Sequence, residues 1–495
     1  MAEKVATAAK EKPTKLILTL VALVIMFLGG KIFPTWGPMT ELGVAMLCAF
    51  IGLIMLITVT NDLIWPPCAA LLAIIMWGYL DANTAIFNFI GTSVIVQMIV
   101  LLVICDALRE TGAGEVLAKK LLSVKWIQGK PLLLSASLLI IFTIADIFLT
   151  SFGGVIFAYA VLDSIGDAAG YKKNDKYMQA MSVGLYLAGM MGASILPFGG
   201  MVLGITNAFN SAIAEAGFAF NPAIYIVCAF IVIMVFMILY ALCLKLMGAD
   251  LSKLQNMDVS KLDSLKDIPD KFNKVQIAYL IAFIVAVAYA FVLTFLPKGG
   301  TFVTWFSSIS TCGWFFVVLV ALCIIKVDGK PLMNCAKHFN HGLNWGFIVT
   351  VGAFSMLGGA LSNNDLGFKT WLINIIGPIF SNMSWPVFCF LIVLICSIVT
   401  NFFSNMATGV IVSALTAPFA IAYAQNNGIN ITVIGSAIAF SSMFAYLTYA
   451  AAGPAPLLLG HEGIETKFMF SKGLIALVLY IVVATVLFAL LGYIF

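Results

Sequence analysis

Two short polar stretches interrupt the apolar runs of this 495-residue chain, and their side chains are of the kind that hold ions. The first, DIFLTSFGGV, covers 146–155, and the second, TNFFSNMATG, covers 400–409. They align without a gap, so Asp146 faces Thr400 and Thr150-Ser151 faces Ser404-Asn405. Hydroxyl, carboxamide and carboxylate oxygens suit Na⁺, as do carbonyls freed where a helix breaks, and helix N-termini at the same breaks attract anions. Each stretch is followed by a segment rich in helix-breaking Gly and Pro, SILPFGGMV at 194–202 and TYAAAGPAPLLLG at 448–460. The same register lays Gly199 on Gly453 and Gly200 on Pro454. Lipid satisfies no free N–H or C=O, so a break at mid-membrane must line a cavity. Paired breaks in two halves of a chain point to the binding site of a transporter.

Each of these residues also has a plainer reading. Ser404-Asn405 could cap a hairpin turn, Asp146 could cap a broken helix, and Phe152 and Met406 could be packing residues. Asp146 is the harder to dismiss, because a lone carboxylate at mid-depth costs about 2.5–3.5 kcal/mol on insertion scales. It has to be paired with a cation or protonated. The chain has one arginine, Arg109, at a predicted cytoplasmic helix end, and no lysine is predicted at mid-depth. An anionic substrate would therefore be held by amides, hydroxyls, helix ends and bound cations. Asp106 and Arg109 read as a surface or interfacial pair, and Asp62 and Asp81 as solvated span ends.

Other chemistries find little support. The 10 cysteines are scattered without a C-x-x-C, and HEGIE at 461–465 lacks the second His of a zincin helix, so neither a disulfide framework nor a zinc site is expected. No basic stripe interleaved with aromatics suggests nucleic acid. An intramembrane enzyme would need a Ser/Lys or paired-Asp dyad at mid-depth, and a channel would need a continuous polar lining. Neither is visible, and no cofactor is implied.

The elements that must position these residues follow from composition. The chain is 62% hydrophobic and 10% charged, with mean hydropathy +1.08, against about 25% charged residues in soluble domains. It reads as an all-α polytopic membrane protein of about 11 transmembrane helices. Spans are predicted near 16–33, 41–60, 64–80, 92–109, 178–213 (interrupted), 222–247, 275–296, 304–325, 344–362, 432–458 (interrupted) and 472–495. Re-entrant hairpins are predicted at 131–165 and 385–423. The organisation is then a tail and first helix at 1–40, a first repeat at 41–247, a polar linker at 248–274 and a second, inverted repeat at 275–495. The first helix is taken as retained, since no small-residue cleavage site follows it. With the N-terminus cytoplasmic and the C-terminus outside, every Lys and Arg except Lys31, Lys298 and Lys369 falls on the cytoplasmic side, as the positive-inside rule expects. The expected location is the plasma (inner) membrane. The 111–130 segment, with Leu117, Leu121, Leu122 and Trp126 on one face, reads as an interfacial helix.

TNFFSNMATG resembles the second Ser-Asn-Thr signature of the divalent anion/sodium symporter family, the citrate, dicarboxylate and sulfate carriers of the ion transporter superfamily. Ser404-Asn405 match, and Met406 stands in place of Thr. Ala452-Gly453-Pro454-Ala455 lies where that family has Thr-Pro-Pro-Asn, with Pro454 kept. The resemblance implies eleven helices, two opposed hairpins and a homodimer with an elevator-like transport domain. It implies one cation site at Thr400, Ser404, Asn405 and the backbone near Ala451, and another at Asp146, Thr150, Ser151 and the backbone near Pro197. It places substrate against Ser151, Phe152, Ser404, Asn405 and Met406, with Gly199, Gly200 and Pro454 nearby. The first signature departs most: its Asn is replaced by Ser151 in the aligned position, and Asp146 stands where the family has a neutral hydroxyl. The expected activity is Na⁺-coupled symport of a di- or tricarboxylate or related organic anion. The alternative is a proton-coupled or exchange carrier of the same superfamily for a more apolar or zwitterionic carboxylate or amino-acid-like substrate.

Overall fold

The computed structural model describes residues 13–495 apart from 61, 123–128, 148–150, 199, 256–264, 296–300, 344, 369, 372–373, 376–382, 403, 449–450 and 453. Helices dominate it. The first half runs α1 (Pro13–Ile32), α2 (Glu41–Thr60), α3 (Trp65–Met76), α4 (Ala82–Ile86), α5 (Ser93–Glu110), α6 (Ala113–Leu122), α7 (Pro131–Ala145), α8 (Ser151–Ala169), α9 (Lys176–Gly192), α10 (Gly200–Ala214) and α11 (Pro222–Cys243). The second half runs α12 (Lys274–Phe295), α13 (Thr301–Ser308), α14 (Ser310–Ile324), α15 (Cys335–His341), α16 (Trp345–Ser362), α17 (Trp385–Val399), α18 (Asn405–Asn427), α19 (Ile431–Ser441), α20 (Ala455–Leu459), α21 (Thr466–Phe468) and α22 (Leu474–Ile494).

Helix ends follow local chemistry. Pro131 and Pro222 open α7 and α11 at positions where a missing N–H costs nothing. Asn221 caps α11 by accepting from the Ala223 and Ile224 amides. Gly428 closes α18 in the left-handed region at φ +66°. Two predicted spans are altered for the same kind of reason. The span expected over 64–80 stops at Met76, where Gly78 takes φ +69°. The span expected over 304–325 divides into α13 and α14 at Ser310, which adopts φ +59° and accepts a hydrogen bond from the Gly313 amide.

Among the described residues, five helical runs are long and apolar enough to cross a membrane: Thr14–Ile32, Glu41–Thr60, Pro222–Cys243, Asn405–Asn427 and Thr466–Ile494. The shorter apolar helices have 10–17 residues, below the ~20 that a hydrocarbon core demands. Several owe that length to the polar interruptions. α7 and α8 flank the first hairpin turn, α9 and α10 the first break, α17 and α18 the second hairpin turn, and α19 and α20 the second break. Each of these polar interruptions thus has a helix on either side. α7 and α8 pack on α9, α17 and α18 pack on α19, and α10 lies between α16 and α18. Part of the 111–130 segment forms α6, which is packed on α7, with Val116 and Ala118 buried and Lys119 reaching the Ile268 carbonyl and Asp270 of the linker. Trp126 lies outside the described residues.

The interior behind the second break is aromatic. Phe444 stacks on Tyr480 at 3.9 Å and meets Phe236 edge-on at 5.4 Å. A loop of the second half clasps the end of the first hairpin: Glu462 pairs with Lys173, the Glu465 amide donates to Gln179 Oε1 at 3.1 Å, and His461 lies 4.3 Å from the Tyr159 ring. Gly463 makes the turn at φ +95° against the Lys173 carbonyl.

Close helix approach depends on Gly192, where a Cβ would stand 2.4 Å from the Thr143 carbonyl oxygen. Gly192→Val must push α9 away from the first hairpin, a cost of about 1–3 kcal/mol, and should lower the melting temperature of the purified protein. Gly358→Ala, with nothing within 4 Å of the added methyl, should leave it unchanged or raise it.

Candidate functional site

The second hairpin turn is built around one amide. Thr400 ends α17 and Ser404 starts α18, with Asn401 between them fully buried. The Asn401 Oδ1 accepts from the Tyr446 and Leu447 amides at 2.8 Å each. Its Nδ2 donates to the Ser397 carbonyl at 2.7 Å and the Phe444 carbonyl at 3.0 Å. The Asn401 carbonyl in turn accepts from the Thr448 hydroxyl at 2.5 Å. The backbone after α19 can therefore leave helical form in a water-poor interior, because its free groups are met by the hairpin. Tyr186 of α9 supplies a further donor, to the Ala445 carbonyl at 3.0 Å.

Around this anchor three neutral oxygens gather. The Thr400 hydroxyl donates to the Ser442 carbonyl at 2.5 Å and lies 3.2 Å from Asn405 Oδ1. Thr400 and Asn405 are buried, and Ser404, half-buried, makes no side-chain cap bond at the start of α18. Hard neutral oxygens beside a helix break are a donor set that fits Na⁺. The carbonyl brought to Thr400 is that of Ser442; the expected backbone contributor Ala451 is buried, with its amide on the Thr448 carbonyl at 3.1 Å. Pro454 is buried and caps α20. Met406 packs against α10, where a Cβ on Gly204 would meet its methyl at 2.3 Å.

The first half is arranged differently. Asp146 ends α7 and is fully buried, and among the described residues neither carboxylate oxygen has a hydrogen-bond partner. Two glycines make room for it: a Cβ on Gly154 of α8 would fall 1.4 Å from Oδ1, and one on Gly189 of α9 would fall 3.1 Å from Oδ2. An unpartnered carboxylate in a glycine cradle fits a cation or a proton. At the position facing Asn401 stands Ile147, which offers no amide. The first break is supported instead by Tyr225 of α11, whose hydroxyl donates to the Ser194 carbonyl at 2.8 Å. Pro197 is buried within that break, and Gly200 begins α10. Thr150, Gly199 and Gly453 lie outside the described residues, as do the side chains of Ser151 and Phe152, which open α8.

Three residues with clear roles escape a reading by motif: Asn401, Tyr186 and Tyr225. Asn401 sits inside the polar stretch, yet its partners are 45 and 46 residues away. The tyrosines lie in apolar runs and show only as isolated hydroxyls. The expected Asp106–Arg109 pair is present at 3.8 Å, but the shorter contact of Asp106 is to His338 Nδ1 of α15 at 2.8 Å.

Asn401→Ala leaves the Tyr446 and Leu447 amides and the Phe444 carbonyl without this partner. Each stranded group costs about 1–3 kcal/mol, so a large fall in melting temperature is expected, on the scale of ~3 kcal/mol or more. Asn401→Asp keeps the acceptor and loses both donations, and should still be destabilised. Wild-type melting of Asn401→Ala would contradict this assignment.

Residues 10–495 match the family model described as the sodium:sulfate symporter transmembrane region. No curated protein matches the chain significantly in sequence. Among solved structures, the chain is similar in fold to the YdaH transporter of Alcanivorax borkumensis, with TM-score 0.55 and 13% identity, over 83% of this chain and 88% of that one. The match of the family model runs through both hairpins and both breaks, and the chain belongs to the sodium:sulfate symporter transmembrane-region family.

Proposed function

We propose that the chain is a secondary active transporter that carries an organic anion, a di- or tricarboxylate or a relative of one, together with Na⁺. The observation that carries this reading is the set of neutral oxygens at Thr400, Asn405 and Ser442 beside an anchored helix break. Membership of a sodium:sulfate symporter family supports coupling to Na⁺. One Na⁺ is held in the second half by Thr400, Ser404, Asn405 and the Ser442 carbonyl. The anion sits between the hairpin tips, near Ser151 and Asn405, held by amides, hydroxyls and the bound cation. The hairpins and broken helices move together against a dimeric scaffold, exposing the site to each side in turn.

In the first half the coupling ion is held by Asp146. A second reading, coupling to H⁺ at this position, is favoured by the same observation, since both carboxylate oxygens are without partners among the described residues. In either case the charge of Asp146 is neutralised when the ion binds, so the loaded carrier crosses with less buried charge.

Uptake into proteoliposomes, with and without Na⁺ at two pH values, tests both. Under Na⁺ coupling, transport of the accepted anion requires Na⁺, and Thr400→Ala raises the Na⁺ concentration for half-maximal uptake by ~10-fold, the scale of one lost charge-assisted contact. Asp146→Asn should change the coupling: the Na⁺ dependence loses one site, or the pH dependence flattens. Wild-type coupling in Asp146→Asn would remove this residue from the mechanism.

A further inference from the structure

A cleft of about 750 Å³ opens between the start of α7 and the end of α11, two helices that pack on each other. Leu132, Leu133 and Ala136 line it from α7, and Ile238, Ala241 and Leu242 from α11. The spacings are i, i+1, i+4 and i, i+3, i+4, so each helix contributes one apolar stripe. α11 is among the runs long and apolar enough to cross a membrane. Its residues Ile238, Leu242 and Leu246 are exposed and fall at i, i+4 and i+8. Two of these three also line the cleft. The cleft therefore opens on the same side as the exposed stripe of α11, where acyl chains are the solvent.

Positive charge gathers at one end of it. The polar side chains of the lining are Lys130, just before α7, and Gln255 of the linker; no carboxylate borders the cleft. Lys245 stands three residues beyond Leu242, just after α11. Both lysines are exposed, and neither has an ion-pair partner among the described residues. Lys119, Lys173 and Lys253, by contrast, are each paired with an acid. A lysine stem can lie along apolar surface and carry its ammonium to headgroup level, where phosphate oxygens accept from it. In the expected orientation this end of both helices is cytoplasmic, and anionic lipid is concentrated in that leaflet.

We propose that the cleft binds a glycerophospholipid with an anionic headgroup. Its phosphate lies at Lys130 and Lys245, and an acyl chain runs along the stripes of α7 and α11. The apolar walls call for a lipid rather than a free phosphate, and two lysines without a carboxylate call for net negative charge. The bound lipid joins α11 to α7, the helix that ends at Asp146, and so braces the first hairpin from its base. The site does not depend on which ion or anion the protein carries.

The test follows the melting temperature of the full-length protein in detergent. It is titrated with phosphatidylglycerol, with phosphatidylcholine of the same acyl chains, and with glycerol 3-phosphate as the headgroup alone. Ligands that bind the folded state raise apparent stability by mass action. Phosphatidylglycerol should stabilise the wild type at lower concentration than phosphatidylcholine, and glycerol 3-phosphate should not stabilise it. Lys130→Gln and Lys245→Gln should each weaken the phosphatidylglycerol effect by ~5-fold, the scale of one basic residue near an anionic surface, and leave phosphatidylcholine unchanged. Ala136→Phe fills the apolar wall and should weaken both lipids; the exposed lysine variants serve if it fails to fold. Equal stabilisation by the two lipids, or the full effect from glycerol 3-phosphate, would overturn the site. A phosphatidylglycerol preference unchanged in the Lys130→Gln, Lys245→Gln double variant would put the lipid elsewhere and overturn it as well. So would a fall in melting temperature on Trp126→Ala with no response to any lipid, which would mean that the adjoining 123–128 segment fills the cleft.

Discussion

Peptide groups released from a helix inside a membrane have no water to turn to, and the second half of this protein meets that constraint with one side chain. The Asn401 amide makes four hydrogen bonds, three of them to backbone within or beside the broken segment after α19. An amide is the only uncharged side-chain group with both two donors and a two-lone-pair acceptor. It can answer carbonyls and amides together, which a hydroxyl cannot. Asn401 carries most of that load, and Thr400 adds one bond of its own, to the Ser442 carbonyl at the end of α19.

The first half solves the same problem with less. Ile147 stands where the amide would be, and the break at 193–199 leans on the Tyr225 hydroxyl from a neighbouring helix. Asp146 is left among glycines with oxygens that no described residue satisfies. The two polar stretches are unlike in electrostatics: one presents neutral oxygens on a well-bonded frame, the other a carboxylate on a sparsely bonded one.

Much of this was legible in the residues. The hairpin helices begin and end close to their predicted limits, since Pro at a helix start and a polar turn between apolar runs are local signals. That Asp146, Thr400 and Asn405 are polar groups set in an apolar interior was legible, because each stands inside an otherwise apolar run. Asn401 was not, because its role depends on backbone 45 residues downstream, and within TNFFSN it is one carboxamide of two. Tyr186 and Tyr225 were hidden for a related reason: a phenol counts as apolar in a hydropathy pattern, and its one polar atom matters only when the partner is known. The division at Ser310 was missed because serine and threonine hydroxyls near 307–311 compete with helix hydrogen bonds without lowering hydropathy enough to register.

The Tyr186 bond to the Ala445 carbonyl has a consequence for how the chain is made. Its ends are 259 residues apart, and the clasp of Lys173 by Glu462 spans 289. At 5–20 residues per second, translation needs roughly 10–50 s to bring the later partner of the tyrosine out of the ribosome. Through that interval the first half is already inserted but still incomplete. Its unsatisfied groups must be tolerated by insertion machinery or by transient water until the C-terminal half arrives, so release of a chain truncated before residue 445 should leave a substrate for membrane quality control.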